Sequence, residues 1–299
     1  MSDLVVVGVD GSPESDAAVR WAADRVQHGG GRLHLVHAYA APMPMPAMPF
    51  YGVLPVSEVD FADYVQAGEA VLALASEIAA ARVDAVQLTT DLKPAGAAAA
   101  LVEASRTADL VVVGSRGHGG FTGMLLGSVS AQLTTHAHCP TVVVRGEPPA
   151  DGPVVVGVDG SDPSNAAVAF AFAEAHRLDT RLVAVHAWDT PLPTGPAEAA
   201  AMRASGQDRD GYQQAARQLL DGALRPGRQR FPDLPVEGRV AETGAADALL
   251  AAEDNPAMIV VGSRGHGGFT GLLLGSTSQS VLHHATCPVA VIRPQPSGE

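Results

Sequence analysis

The sequence predicts an α/β protein made of two tandem doubly wound domains, each a five-stranded parallel sheet with flanking helices. Three observations carry that expectation: the chain is written twice, β-branched runs alternate with helical stretches, and a glycine-rich loop follows the fourth strand of each copy. Val5-Val6-Val7-Gly8-Val9-Asp10-Gly11-Ser12 recurs unchanged as Val154–Ser161, at an offset of 149. Gly114–Ser128 (GSRGHGGFTGMLLGS) recurs as Gly262–Ser276 (GSRGHGGFTGLLLGS) at an offset of 148, and only Met124 against Leu272 differs. Smaller echoes are His37-Ala38 beside His186-Ala187 and Cys139-Pro140 beside Cys287-Pro288. A period this long is no solenoid repeat, so it marks a duplicated domain. The boundaries are expected at residues 1–146 and 152–299, around the Pro- and Gly-rich stretch Gly146–Gly152.

The elements of the first copy follow in order. Leu4–Asp10 is a continuous apolar run, as expected of a strand buried on both faces of a parallel sheet. Ser12 can cap a helix whose first turn holds Pro13, Glu14 and Asp16, with the carboxylates at the positive end of the helix dipole. Ala18, Val19, Ala22 and Val26 give that helix an apolar side, and Gly29-Gly30-Gly31 stops it. Leu33–Ala38 reads as the second strand, Ala40–Val56 as a long Pro- and Met-rich loop, and Ser57–Ala81 as a helix. Val86–Leu92 is the third strand, Ala97–Thr107 a helix and Leu110–Val113 the fourth strand. Ser128–Ala137 is helical, and Thr141–Val144 closes the copy as a last strand, matched by Val289–Ile292. Strands that alternate with helices require crossovers, which give a parallel sheet.

Composition removes several function classes. Hydrophobic residues make up 46% and charged residues 17%, which is globular composition. No apolar run approaches the ~18 residues of a membrane span, and no cationic stretch precedes the first apolar run, so neither a membrane protein nor a signal peptide is expected. Nineteen basic against 32 acidic residues leave a net charge of −13, with no basic cluster, which disfavours nucleic acid as a partner. Two cysteines make no disulfide framework and suit a reducing cytoplasm.

Ligands of open α/β sheets bind beyond the carboxyl ends of the strands, where the strand order reverses. Asp10 and Asp159, Ala38 and Ala187, and both glycine loops fall at such ends. A glycine-rich loop that leads into a helix offers outward N–H groups and a positive dipole end to an anion. Ser128 and Ser276 add hydroxyls, and Arg116 and Arg264 add countercharge. The loops lack the lysine of a P-loop, and the first turn, Asp10-Gly11-Ser12, is no dinucleotide fingerprint.

Gly114-x-x-Gly117, nine residues and Gly127-Ser128, repeated as Gly262-x-x-Gly265, nine residues and Gly275-Ser276, resemble the ATP-binding signature of the universal stress protein family. The opening V-G-V-D-G-S, the strand-two H-A and the late H-x-x-C-P resemble it too, over essentially the whole chain, twice. The resemblance implies an adenine-nucleotide alpha hydrolase-like fold, with ATP and magnesium as ligands. It implies that Asp10 with Gly11, and Asp159 with Gly160, lie near ribose and phosphates, and that the two aspartates help hold the metal. Backbone at Ala38 and Ala187 would meet the adenine edge. Gly114, Arg116, Gly117, Gly127, Ser128 and Val129 would cradle the phosphates, as would Gly262, Arg264, Gly265, Gly275, Ser276 and Thr277. Gly96 and Gly244 would lie on the nucleotide's far side. It further implies a stress-related regulatory role, pairing through the last strands, and a homodimer of an internally pseudo-dimeric chain.

Plainer readings stand beside these. Glycines after a strand often only form a tight turn, yet fourteen of fifteen positions agree between the copies, where loops free of function drift. Asp10 is either a ligand-facing carboxylate or a cap of the helix behind it. His118 and His266 are phosphate donors or solvated loop residues; His37 and His186 read as satisfied strand residues; both cysteines read as small core residues. Met43–Met48 is a partner surface or a plain loop. Three functions follow. A nucleotide-binding regulatory module is expected, not an enzyme; a slow ATPase and an empty dimerisation scaffold are the alternatives. Phosphoryl transfer needs a group to orient the nucleophile, and only the loop histidines and the aspartates offer one. A loop that binds ground and transition states equally gives affinity without turnover.

Overall fold

The computed structural model describes residues 3–40, 61–117, 126–146, 152–188, 195, 209–265 and 273–294. They fall into two compact units, Met1–Leu133 and Thr134–Glu299.

The first unit contains β1 (Leu4–Gly8), α1 (Pro13–Gly29), β2 (Arg32–Ala38), α2 (Phe61–Ala80), β3 (Leu88–Lys93), α3 (Ala97–Ala104), β4 (Leu110–Gly114) and the start of α4 (Ser128–His136). Its strands lie side by side as β3-β2-β1-β4, all parallel. The order runs outward from β1 to β3 and then returns to the other side of β1, so the switch point lies between β1 and β4. Val5, Val6 and Val7 are at most 1% exposed, as both-face burial requires. Ser12 caps α1: its Oγ accepts from the N–H of Ser15 at 3.2 Å. Gly30, at φ 73°, ends the helix by donating its N–H to Val26 O.

The second unit contains the end of α4, β5 (Thr141–Val144), β6 (Val154–Gly157), α5 (Asp162–Arg177), β7 (Leu182–Ala187), α6 (Arg209–Arg230), β8 (Val236–Ala241), α7 (Ala245–Leu250), β9 (Met258–Gly262), α8 (Ser276–His284) and β10 (Val289–Ile292). Its strand order is β5-β10-β9-β6-β7-β8. Every pairing there is parallel except β5 with β10, which is antiparallel, with Ala290 opposite Val142. This pairing groups β5, the last strand of the first sequence copy, with the second unit. Ser161 caps α5 as Ser12 caps α1, accepting from Ser164 N at 3.3 Å.

Three described boundaries differ by two residues or more from those expected. β1 ends at Gly8, and although Val9 N still donates to Val36 O, the chain then turns away at Asp10. The third strand begins at Leu88, because Ala85–Gln87 forms a 3₁₀ turn. There Asp84 N donates to the Gln87 side chain, and Val86 is 86% exposed. α3 stops at Ala104. The 40–56 loop beyond Ala40, the Met43–Met48 stretch and the start of the 57–81 helix lie outside the described residues, as does most of 189–207.

Candidate functional site

The site of each copy is built from three chain segments that meet at the switch point. The first is the turn after the first strand. His37 Nδ1 hydrogen-bonds Val9 O at 2.7 Å and His186 Nδ1 does the same to Val158 O at 2.6 Å, so strand two holds the end of strand one in place. Gly11 and Gly160, at φ 81° and 82°, then occupy the left-handed region that only glycine enters without cost. That reversal lets Asp10 Oδ1 accept from Ser12 N at 3.0 Å and from Ser12 Oγ at 2.5 Å. Asp159 repeats the arrangement with Ser161 at 2.9 and 2.6 Å. The serine is thus the helix cap, and the aspartate orients it while its carboxylate faces the glycine loop.

The second segment is that loop. It is closed at its base, where Gly127 N donates to Ser115 O and Gly275 N to Ser263 O, both at 2.8 Å. Ser130 Oγ donates to Gly114 O at 2.8 Å, and Ser278 Oγ to Gly262 O at 2.6 Å. A Cβ at Gly117 would collide with Asp10 Oδ2, and one at Gly265 with Asp159 Oδ2, so the loop passes directly over the carboxylate. The third segment is the first turn of α4 or α8, whose leading N–H groups have no acceptor within the helix and suit an anion.

These segments enclose a cavity of about 430 Å³ in the first copy and one of about 530 Å³ in the second, within the range of small-ligand sites. Asp10, Ala38, Gly114, Arg116, Gly117, Gly127, Ser128 and Val129 all line the first. Asp159, Ala187, Gly262, Arg264, Gly265, Gly275, Ser276 and Thr277 all line the second. Gly11, Gly160, Gly96 and Gly244 do not line them; Gly11 and Gly160 act one step back, through the turn. Gly96 and Gly244 precede α3 and α7, and the next residues, Ala97 and Ala245, take the wall positions. Sequence reasoning missed Ser15 and Ser164, and Ser130 and Ser278, which line the cavities and tie loop to strand. Their recurrence at the two repeat offsets was the signal that marks them. It also missed the apolar wall made by Leu101 and Leu249.

Charge differs between the copies. Arg116 lies 3.3 Å from Glu14. In the second copy Arg293 is half-buried, and its guanidinium is held below the usual arginine range by burial and by the neighbouring charge of Arg264. Among the described residues, no group of three or more His, Cys, Asp and Glu side chains gathers as a metal site. Cys139 and Cys287 are buried and unbridged, and burial pushes the Cys287 thiol up to about 11. His118 and His266 lie outside the described residues. No described helix is long and apolar enough to cross a membrane.

The model of the universal stress protein family matches residues 1–145 and again 152–293. A universal stress protein of Mycolicibacterium smegmatis is 37% identical over 301 residues, spanning 97% of both chains. One from Mycobacterium tuberculosis (strain ATCC 25618 / H37Rv) is 37% identical over 301 residues, 97% of this chain and 96% of its own. The crystal structure of a universal stress protein from Archaeoglobus fulgidus, 19% identical, superposes with a TM-score of 0.69 over 98% of this chain and 99% of that one, a likeness of fold. Two matches to one family model, relatives similar from end to end and a duplicated loop-and-turn site lead to one conclusion: this chain belongs to the universal stress protein family, as a tandem of two such domains.

Proposed function

We propose that each domain, taken as residues 1–146 and 152–299, binds an adenine nucleotide, ATP with magnesium, and acts as a regulatory module rather than as an enzyme. The observation that carries this reading is the pair of equivalent cavities, each lined by the described ends of a glycine loop whose sequence matches the other at fourteen of fifteen positions. The walls suit the ligand's two halves. Apolar groups at Val36, Ala38 and Leu101, and at Val185, Ala187 and Leu249, accept a base. Arg116 or Arg264, the loop backbone and the helix N-terminus accept phosphates.

Asp10 and Asp159 are the sole carboxylates among the described lining residues. One carboxylate per site fits magnesium, which takes one or two protein carboxylates and completes its shell with phosphate oxygens and water. Bound there, the ion would neutralise phosphate charge. The same aspartates are engaged by Ser12 and Ser161, which leaves the described walls without a spare base to orient a water. The proposed outcome is affinity without turnover.

Regulation then works through occupancy: protein partners read whether a cavity is filled. The two buried thiols suit a cytoplasmic setting, and the net charge of −13 disfavours nucleic acid. The homodimer rests on the family resemblance alone. Denaturing freshly purified protein and identifying the released nucleotide by chromatography and mass spectrometry tests the reading. Near two ATP per chain is expected. Mostly ADP points to an ATPase, and no nucleotide with no later uptake of ATP and magnesium overturns nucleotide binding in favour of a scaffold.

A further inference from the structure

One position beside the loops differs in charge between the copies. A Cβ on Gly114 would lie 2.6 Å from the backbone carbonyl of Glu14, and a Cβ on Gly262 would lie 2.9 Å from the carbonyl carbon of Pro163. Residues 14 and 163 therefore occupy the same place, against the end of the strand that feeds the loop. In the first copy the Glu14 carboxylate holds Arg116 at 3.3 Å. In the second the position is an uncharged proline, and among the described residues Arg264 enters no ion pair. Two positions further on, Asp16 is replaced by Asn165, while Asp162 stands where Pro13 does. Arg293, the counterpart of Arg145 in the first copy, donates through its Nη2 to Leu273 O at 3.2 Å, next to the lining residue Leu274, and the Nε of both arginines is buried without a hydrogen-bond partner among the described residues. Thr277 also puts a hydroxyl where the first cavity has Val129.

We propose that the two cavities, both holding ATP, differ in ligand preference: the second favours nucleoside triphosphates the more strongly, and the Glu14–Arg116 pair biases the first toward nucleotides that carry fewer phosphate charges. This rests on the nucleotide reading above. A triphosphate entering the first cavity competes with Glu14 for Arg116 and brings its charge beside a carboxylate. In the second, Arg264 is open to it, with no carboxylate at residue 163 to compete. Lys93, in register with Ala38, does not offset the difference, since it is held 2.7 Å from Asp91. The larger second cavity, about 530 against 430 Å³, agrees in direction.

Calorimetric titration with ATP and with AMP, magnesium present, separates the sites. Gly117→Leu closes the first and reports the second; Gly265→Leu does the reverse. The ATP-over-AMP preference of the second site is expected to exceed that of the first by about fivefold, the size of one or two partly exposed charge contacts. In the full chain, Glu14→Gln strengthens the weaker class of ATP site and Pro163→Glu weakens the tighter class, each by about threefold. These two partly exposed first-turn changes keep the test valid should a glycine variant fail to fold. Equal preferences at both sites, or no response to either charge swap, overturn the inference while two-site binding leaves the nucleotide reading standing. No binding of either nucleotide by the unaltered chain overturns both.

Discussion

The two copies keep their glycine loops and repack their cores. Where α1 carries the fully buried Ala23, α5 carries Phe172, also 0% exposed and stacked on Phe231 at a ring distance of 6.1 Å. Gly227 in α6 makes room for it, because a Cβ there would run into the Phe172 ring. Across the same duplication, fifteen residues of glycine loop differ at one position. A core needs total volume and pattern, so compensating swaps between helices satisfy it. The loop must pass over a carboxylate with no side chain between, and no neighbour can compensate for an added Cβ at Gly117 or Gly265.

The contrast breaks most visibly in the core of the second unit. Phe172→Ala leaves a cavity between α5 and α6 and is expected to cost about 3–5 kcal/mol in urea denaturation. Next in size, Gly117→Leu or Gly265→Leu should lower affinity at the site it closes by about 100-fold or more, near 2.8 kcal/mol, with circular dichroism unchanged. Calorimetry with ATP and magnesium reads this, and unaltered affinity in the double variant would refute the assignment of the loop. The smallest effect concerns Cys287. Its folded thiol lies at about 11 against an ordinary 9.0, because burial favours the neutral form. A raised folded pKa means a stability contribution that is whole below pH 9.0 and is lost as pH rises through about 11. Cys287→Ala should therefore flatten the alkaline fall in melting temperature, by roughly 2–3 kcal/mol at its alkaline limit, and change nothing in its slope near pH 7.

Much of this was legible in the chain itself. Local chemistry sets the order of strands and helices, the caps at Ser12 and Ser161, and the stop at Gly30, and local chemistry is what a sequence displays. The third strand shows where that fails: Val86 has the β-branched shape of a strand residue, but the Asp84–Gln87 contact draws it into an exposed 3₁₀ turn. Propensity yields there to a neighbouring hydrogen bond. Sixteen of the twenty residues that the family resemblance implied for the site line the two cavities. The site's charge balance was not readable. Glu14 lies 102 positions from Arg116 in the chain, and only the fold brings them within 3.3 Å. The same limit hid the serines Ser130 and Ser278, whose bonds back to Gly114 and Gly262 span a whole loop.

The antiparallel pairing of β5 with β10 has a consequence for any attempt to divide the chain. Residues 147–151 are the natural place to cut between the repeats, yet β5 lies before that point and its partner lies after it. A fragment starting at 152 would carry β10 with its main-chain donors and acceptors bare along one side, and Val289–Ile292, now at most 3% exposed, at a sheet margin. An exposed apolar sheet edge is a template for pairing with another chain. Such a fragment would therefore tend to associate with itself, and a nucleotide titration on isolated halves would measure an assembly that the intact chain never forms.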